Sequence, residues 1–157
     1  MPELIDMHRF AAELKSRRNR AALLLCPHLG EQRSYAAQLA GAIGADHVDV
    51  LERFQQDESL MERLVIFSID DLLALIAGQR NQPLVVVSGI EFLLGAWLSQ
   101  GDPKQVKRFL CQKIELWTGQ PAFILVTQED STLAGYQPER HSGGRVVIRL
   151  SETLSLA

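Results

Sequence analysis

The sequence predicts an α/β domain, a three-layer structure with a mostly parallel sheet of about five strands and helices on both of its faces. Three observations predict it. Short, continuous apolar runs recur at Ala21 to Cys26, Leu84 to Val87 and Ala122 to Val126, and a strand that is apolar at every position is one covered on both sides. The stretches between these runs carry apolar residues at helical spacing. Caps and chain breakers fall where one periodicity gives way to the other.

Taken in order, residues 4 to 17 set Leu4, Ile5, Phe10, Ala11 and Leu14 at helical spacing, with Lys15, Arg17 and Arg18 at the negative end of the helix dipole. Ala21 to Cys26 is the first strand, broken by Pro27 and Gly30. Ser34 is placed to cap a helix running to about Ile43, with Tyr35, Leu39 and Ile43 inward and Gly44 as its stop. Val48 to Leu51 reads as the second strand. Glu58 to Leu64 reads as helix, and Val65, Ile66 and Phe67 fit either that helix or a short extended stretch. Ser68 followed by Asp71 resembles a capping arrangement for a helix carrying Ile69, Leu72, Leu73 and Ile76 up to Gly78.

Pro83 introduces Leu84, Val85, Val86 and Val87, whose β-branched run marks a central strand. Ile90 to Leu98 turns back as a helix. Asp102 and Pro103 supply the N-cap and first-turn proline of another, in which Val106, Phe109, Leu110, Ile114 and Trp117 form the buried stripe and Gly119 the stop. Ala122 to Val126 is a strand, Gln128 to Gly144 a polar loop, and Arg145 to Leu150 a closing, alternating strand. Strands alternating with helices in this way imply right-handed crossovers and a ligand site beyond the carboxyl ends of the strands.

Size and composition bound the function. A chain of 157 residues that is 46% hydrophobic encloses a single core. This gives one domain over residues 1–157, with an N-terminal helix in 1–19 and the core in 20–150. Aromatic residues make up 6% and the formal net charge is -3, which disfavours a base-stacking platform or a body that attracts nucleic acid as a whole. Cys26 and Cys111 have no metal-ligand spacing around them and are expected as buried thiols, with no disulfide and no metal or other cofactor. No apolar run is long enough to span a membrane and the opening residues lack the pattern of a signal peptide, so a cytoplasmic location is expected.

The turn after the first strand is where backbone amides at a helix start would hold phosphates and a lysine would supply charge. Aligning Ser34 with the hydroxyl position of GxxxxGK[ST] sets Arg33 at the lysine, Gln32 at the second glycine and Pro27 at the first. Proline and glutamine cannot supply the permissive dihedrals and close backbone approach of glycine, and Glu31 adds a carboxylate. Losing one charge-assisted contact of roughly 1.5–3 kcal/mol weakens binding about 10- to 100-fold. Arg33 would recover part of this, because guanidinium also pairs with phosphate. The third strand ends in Ser88-Gly89, where a magnesium site needs an acid. Glu91 stands three residues further on.

Leu23-Leu24-Leu25, Val85 to Leu94, Ile124 to Gln128 and Val146 to Leu150 together resemble the core strands of RecA-type P-loop ATPases over roughly residues 20 to 150. The resemblance implies a RecA-like P-loop fold. It sets Glu52 near the position of the glutamate that orients attacking water, and Thr127 and Gln128 where the γ-phosphate is sensed. The short length, Val48 to Leu51 and Ile90 to Leu93 are also similar to the small P-loop proteins of BREX-type phage-defence systems.

With the phosphate-gripping residues replaced, the expectation is a non-catalytic pseudo-ATPase subunit, not an enzyme, assembling with an intact ATPase or DNA-processing protein in bacterial DNA repair or phage defence. Its nucleotide-site residues would be the remnants Arg33, Ser34, Glu52, Ser88, Glu91 and Gln128. An oligomer is compatible with this reading, and Arg140 would then serve a neighbour's site.

Two alternatives stand beside it. One is a true nucleotide-binding ATPase that uses Arg33 and Ser34 for phosphate and Glu52 or Glu91 for water. The other is a DNA-binding adaptor using Lys104, Lys107 and Arg108, with Lys113 on the same helix, which would gain phosphate contacts if Arg17, Arg18 and Arg20 met them in space. A solvated outer face is the favoured account of those charges. Trp97 and Trp117 fit core positions or an anchor for a partner, and His28 takes no role.

Overall fold

Each continuous apolar run of the sequence forms a strand, and the strands share one sheet. The computed structural model describes residues 4–28, 30–79, 81–137 and 145–156. Strands β1 (Ala21–Cys26), β2 (Asp46–Asp49), β3 (Leu84–Ser88), β4 (Ala122–Gln128) and β5 (Val147–Arg149) lie in the order β2-β3-β4-β1-β5, all parallel. Helices cover both faces, which makes this a three-layer α/β domain whose all-parallel five-stranded sheet is consistent with a RecA-like P-loop type fold. No helix among the described residues is long and apolar enough to cross a membrane.

One face carries α1 (Met7–Ser16) and α2 (Glu31–Ile43). Ala22, Leu24 and Cys26 of β1 and Ile124 and Val126 of β4 pack there with Leu14 and Leu39. Helices α3 (Val50–Gln56), α5 (Ile69–Ala77), α6 (Glu91–Leu98), α7 (Pro103–Glu115) and α8 (Ser131–Ala134) supply the opposite cluster, against Leu23, Leu25, Val85, Val87, Phe123 and Leu125. A short α4 (Glu58–Glu62) and a 3-10 turn (Leu64–Ile66) link α3 to α5, and a second 3-10 turn (Leu150–Glu152) follows β5. Successive strand residues therefore feed opposite cores, which is why β1 is apolar at all six positions and buried along its length.

Several caps form as the sequence predicts. Ser68 and Asp71 make a reciprocal capping box at the start of α5. Asp102 accepts from the amides of Lys104 and Gln105 with Pro103 in the first turn of α7. Trp97 is buried and donates its indole N–H to the carbonyl of Phe67. Trp117 is partly buried and donates to Pro121.

Other boundaries differ from the sequence reading. Helix α2 begins at Glu31, three residues before Ser34, because Gly30 adopts φ 83° and turns the chain directly into the helix. Ser34 is thus an exposed residue inside the helix and caps nothing. Strand β2 spans Asp46–Asp49, and Val50 and Leu51 open α3, because the Asp49 carboxylate accepts the Glu52 amide and caps that helix. Val65 and Ile66 lie in the 3-10 turn and are not a strand, and Phe67 follows in an extended conformation.

At its amino end the first helix starts only at Met7, capped by Asp6, while Ile5 instead bridges to Thr153. Phe109 is exposed, outside the buried stripe of α7, and that helix stops at Glu115, before Gly119. The polar loop after β4 contains α8, nucleated by Asp130 accepting from Thr132 and Leu133. The closing strand is shorter than Arg145 to Leu150. Pro138, Arg140, Gly143 and Gly144 lie outside the described residues.

Candidate functional site at the carboxyl ends of the strands

The carboxyl ends of β1, β3 and β4 meet the first turns of α2 and α6, and this is where the sequence directs attention. Residues 27–30 alone join β1 to α2, so Glu31, Gln32 and Arg33 are already helical. Glu31 stands at the positive end of the α2 dipole, the place an anionic ligand would take.

Arg33, the residue aligned with the phosphate-binding lysine, is engaged by protein acids. Its Nε forms an ion pair with Asp49 Oδ2, and its Nη2 lies 3.9 Å from Glu52 Oε2. Asp49 is buried at the end of β2. Glu52 is not at a strand end: it occupies the first turn of α3, half exposed, and accepts from Gln56 Nε2 at 3.2 Å. The Arg33 side chain is 56% exposed, so the pair is partly screened and its strength modest. Its geometric effect is to turn the guanidinium toward the β2 edge.

Ser88 ends β3 fully buried and shares a 2.7 Å hydrogen bond with His47 Nε2 on the neighbouring strand. Burial above all, helped by Arg33, holds the His47 imidazole below its ordinary pKa against the opposing pull of Asp49 and Glu52. A neutral serine on a largely uncharged ring replaces the acid that a bound magnesium would require. Gly89 follows at φ 76°, with its Cα side facing Asp49 and the Leu51 amide so closely that no side chain fits.

Glu91 begins α6 and leans across the mouth toward α2. The Gln32 side chain hydrogen-bonds it, and its carboxylate also accepts from its own backbone amide and that of Gln128. Burial nevertheless outweighs these bonds, and with Asp49 nearby it raises the Glu91 pKa. Gln128 therefore contributes through its backbone. Thr127 is buried, and its hydroxyl has no hydrogen-bond partner. Cys26 is sealed beneath this cluster. Its thiol is pushed up to about 12, first by burial and then by Glu31, Glu91 and Glu129.

Five carboxylates, Glu31, Asp49, Glu52, Glu91 and Glu129, thus gather here against two guanidiniums, Arg33 and the Arg149 that pairs with Glu129 at 3.3 Å. The surplus of three negative charges equals the formal charge of the whole chain. Among the described residues no group of three or more His, Cys, Asp or Glu side chains is arranged to hold a metal ion.

The basic residues do not form one surface. Arg17, Arg18 and Arg20 precede β1 at the amino end of the sheet, where Asn19 Nδ2 caps the carboxyl end of α7 at Ile114 and Glu115. Lys104 is exposed in the first turn at the opposite end of the same helix and Arg108 is exposed near its middle, the helix being about 20 Å long. Arg17 is spent on carbonyls of Asn19 and Arg145, Lys107 on Asp130 at 2.6 Å and Lys113 on Asp70 at 3.1 Å.

Sequence reasoning missed Asp49, Gln32 and His47. For Asp49 a signal was present, since an acid followed three residues later by Glu52 is a helix-start signature. Compared with known proteins, the chain matches no protein-family model, no curated protein and no solved structure.

Proposed function

We propose that the chain is a non-catalytic member of a protein assembly, a RecA-like domain that keeps the scaffold of a P-loop ATPase and has given up its nucleotide chemistry. The observation that carries this reading is the capture of Arg33 by Asp49 and Glu52. The residue at the phosphate-binding position is held by acids, and a triphosphate entering there meets Glu31 and Glu91. Repulsion from a net surplus of carboxylates opposes a polyanion far more strongly than one released arginine would attract it.

A second feature supports assembly. Val65 and Ile66 are 76% and 74% exposed, and with Phe109 they border a groove of about 510 Å³ floored by Phe67 and Trp97. Exposed apolar residues clustered about a groove in this way mark contact surfaces. The resemblance to RecA-type and BREX-type proteins makes an intact ATPase or a DNA-processing enzyme of DNA repair or phage defence the partner to seek. The test is calorimetric titration with ATP and magnesium at concentrations on the order of 1 mM. Absence of saturable heat is the expected result. Saturable heat that disappears in Arg33→Ala would refute the proposal and establish the divergent-loop ATPase in its place.

A further inference from the structure

The groove beside α7 joins an apolar floor to an acidic rim. Val65 and Ile66 of the 3-10 turn line it together with Val106 and Phe109 of α7, over Phe67 and Trp97. The polar groups at its base are already engaged: the Trp97 indole N–H donates to the Phe67 carbonyl at 2.7 Å, and Gln100 Nε2 reaches the Val65 carbonyl at 3.5 Å. Two carboxylates line the groove, Asp70 in the first turn of α5 and Asp102 at the N-cap of α7, and among the described residues no lysine or arginine does. Asp70 Oδ1 pairs with Lys113 at 3.1 Å, and Asp102 Oδ1 accepts from the Lys104 and Gln105 amides. Neither Oδ2 has a hydrogen-bond or ion-pair partner among the described residues.

We propose that this groove holds an amphipathic helix of the partner protein, one whose apolar face is bordered by lysine or arginine. A floor whose donors and acceptors are engaged cannot pair with an extended backbone, and a helix is the form that satisfies its own backbone groups. Apolar side chains repeating at i, i+3, i+4 and i+7 would then cover Ile66 and Phe109, both exposed in the free chain. Charge fixes the sign of the border. Asp70 and Asp102 stand against Lys113 alone, and their two open oxygens accept from a cation. The same surplus opposes other occupants. A second copy in a two-fold contact would set the same patch, with the same negative surplus, against this one, and nucleic-acid phosphates or acidic lipid would be repelled as well. The inference rests on the reading of the chain as a member of an assembly and supplies the chemistry of what it meets there.

The experiment follows the indole N–H resonances of Trp97 and Trp117 in the full chain by NMR. Trp117 is the internal control, because its indole donates to Pro121 away from the groove. Three capped model peptides are titrated in turn: leucines at helical spacing with lysine between them, the same with glutamate for lysine, and the lysine peptide with a central proline. The lysine peptide should saturate at concentrations on the order of 0.1 mM, shifting Trp97 and the Ile66 and Gln100 amides while sparing Trp117. Ile66→Asp, a change at an exposed position, should weaken binding roughly tenfold or more, with a resonance map unchanged elsewhere showing that the variant is folded. Asp70→Asn combined with Asp102→Asn should weaken it about three- to tenfold and remove the preference over the glutamate peptide. Asparagine caps a helix as well as aspartate does, so this variant keeps the start of α7. The proposal is overturned if Trp97 does not respond to the lysine peptide at concentrations on the order of 1 mM, or if the glutamate or proline peptide binds as tightly. A dimer of the chain alone in sedimentation, dissociated by Ile66→Asp, would assign the groove to a second copy and overturn the partner assignment. Saturable ATP binding would sink the non-catalytic reading and leave the peptide result standing, whereas silence from both peptide and ATP removes only the docking proposal.

Discussion

Replacing Gly89 by alanine perturbs a backbone position on which the mouth of the sheet depends. Gly89 has φ 76°, a left-handed conformation that costs a residue with a side chain roughly 1–2 kcal/mol. A Cβ there would overlap Asp49 Oδ1 and lie 3.1 Å from the Leu51 amide nitrogen. Asp49 must then shift, loosening both its ion pair with Arg33 and its cap on the Glu52 amide. Loss of a cap costs about 1 kcal/mol, and the half-exposed ion pair adds no more than about 0.5–1 kcal/mol. The total is roughly 2–4 kcal/mol, which for a chain of this size lowers Tm by about 5–12 °C. Differential scanning calorimetry reads it directly. Gly95→Ala is the internal control: it lies exposed in α6 with nothing within 4 Å of an added Cβ, and it should stabilise by about 0.5–1 kcal/mol. If both variants shift Tm by the same small amount, the close approach of Gly89 to Asp49 is refuted.

Glu91 has a raised pKa in the fold, so the folded state holds its proton more tightly than the unfolded chain. The stability it contributes is complete below the unfolded value of about 4.3 and is lost as pH rises through the higher folded value. Glu91→Gln should flatten that decline, leaving the variant at least as stable as the parent at neutral pH, and urea denaturation from pH 4 to 8 that showed the parent more stable at the upper end would contradict it. Cys26, with its thiol near 12 instead of the ordinary 9.0, holds roughly a thousandth of the usual thiolate at pH 8. Together with the equally buried Cys111, it should react with a disulfide reagent at the rate of unfolding, and full modification of the native protein within seconds would overturn the burial assigned to both.

Much of the fold was legible because its cause is local. The run Val85, Val86 and Val87 is β-branched and apolar at successive positions, a pattern that suits few environments besides a central strand. Asp102-Pro103 and Ser68 with Asp71 are caps whose mechanism lies within one turn. The misread boundaries share a different cause. At Val50 and Leu51 an apolar run continued past the strand's end, and only the capping bond from Asp49 to Glu52 turned it into helix. The start of α2 depended on Gly30 taking a left-handed conformation, which composition permits without requiring.

The site was less legible because its chemistry depends on pairs distant in sequence. Neither the ion pair of Arg33 with Asp49 nor the hydrogen bond of Ser88 with His47, forty-one positions away, has a signal in the local sequence. Lys107 reads as part of a basic face until Asp130 takes its charge.

The scaffold and the site answer to different constraints. Strands β1, β3 and β4 are specified by burial, which any apolar side chain of suitable volume satisfies, so the sheet constrains little about the residues at its mouth. The mouth has no such tolerance, because a carboxylate set at a helix start settles the sign of the ligand that start can hold. Glu31 and Glu91 stand at the starts of α2 and α6 respectively. Each satisfies locally the helix dipole that a phosphate would otherwise satisfy, and together they leave acceptors facing inward. Carboxylates at both helix starts therefore favour positive charge at the point where the helix dipoles alone would favour negative charge.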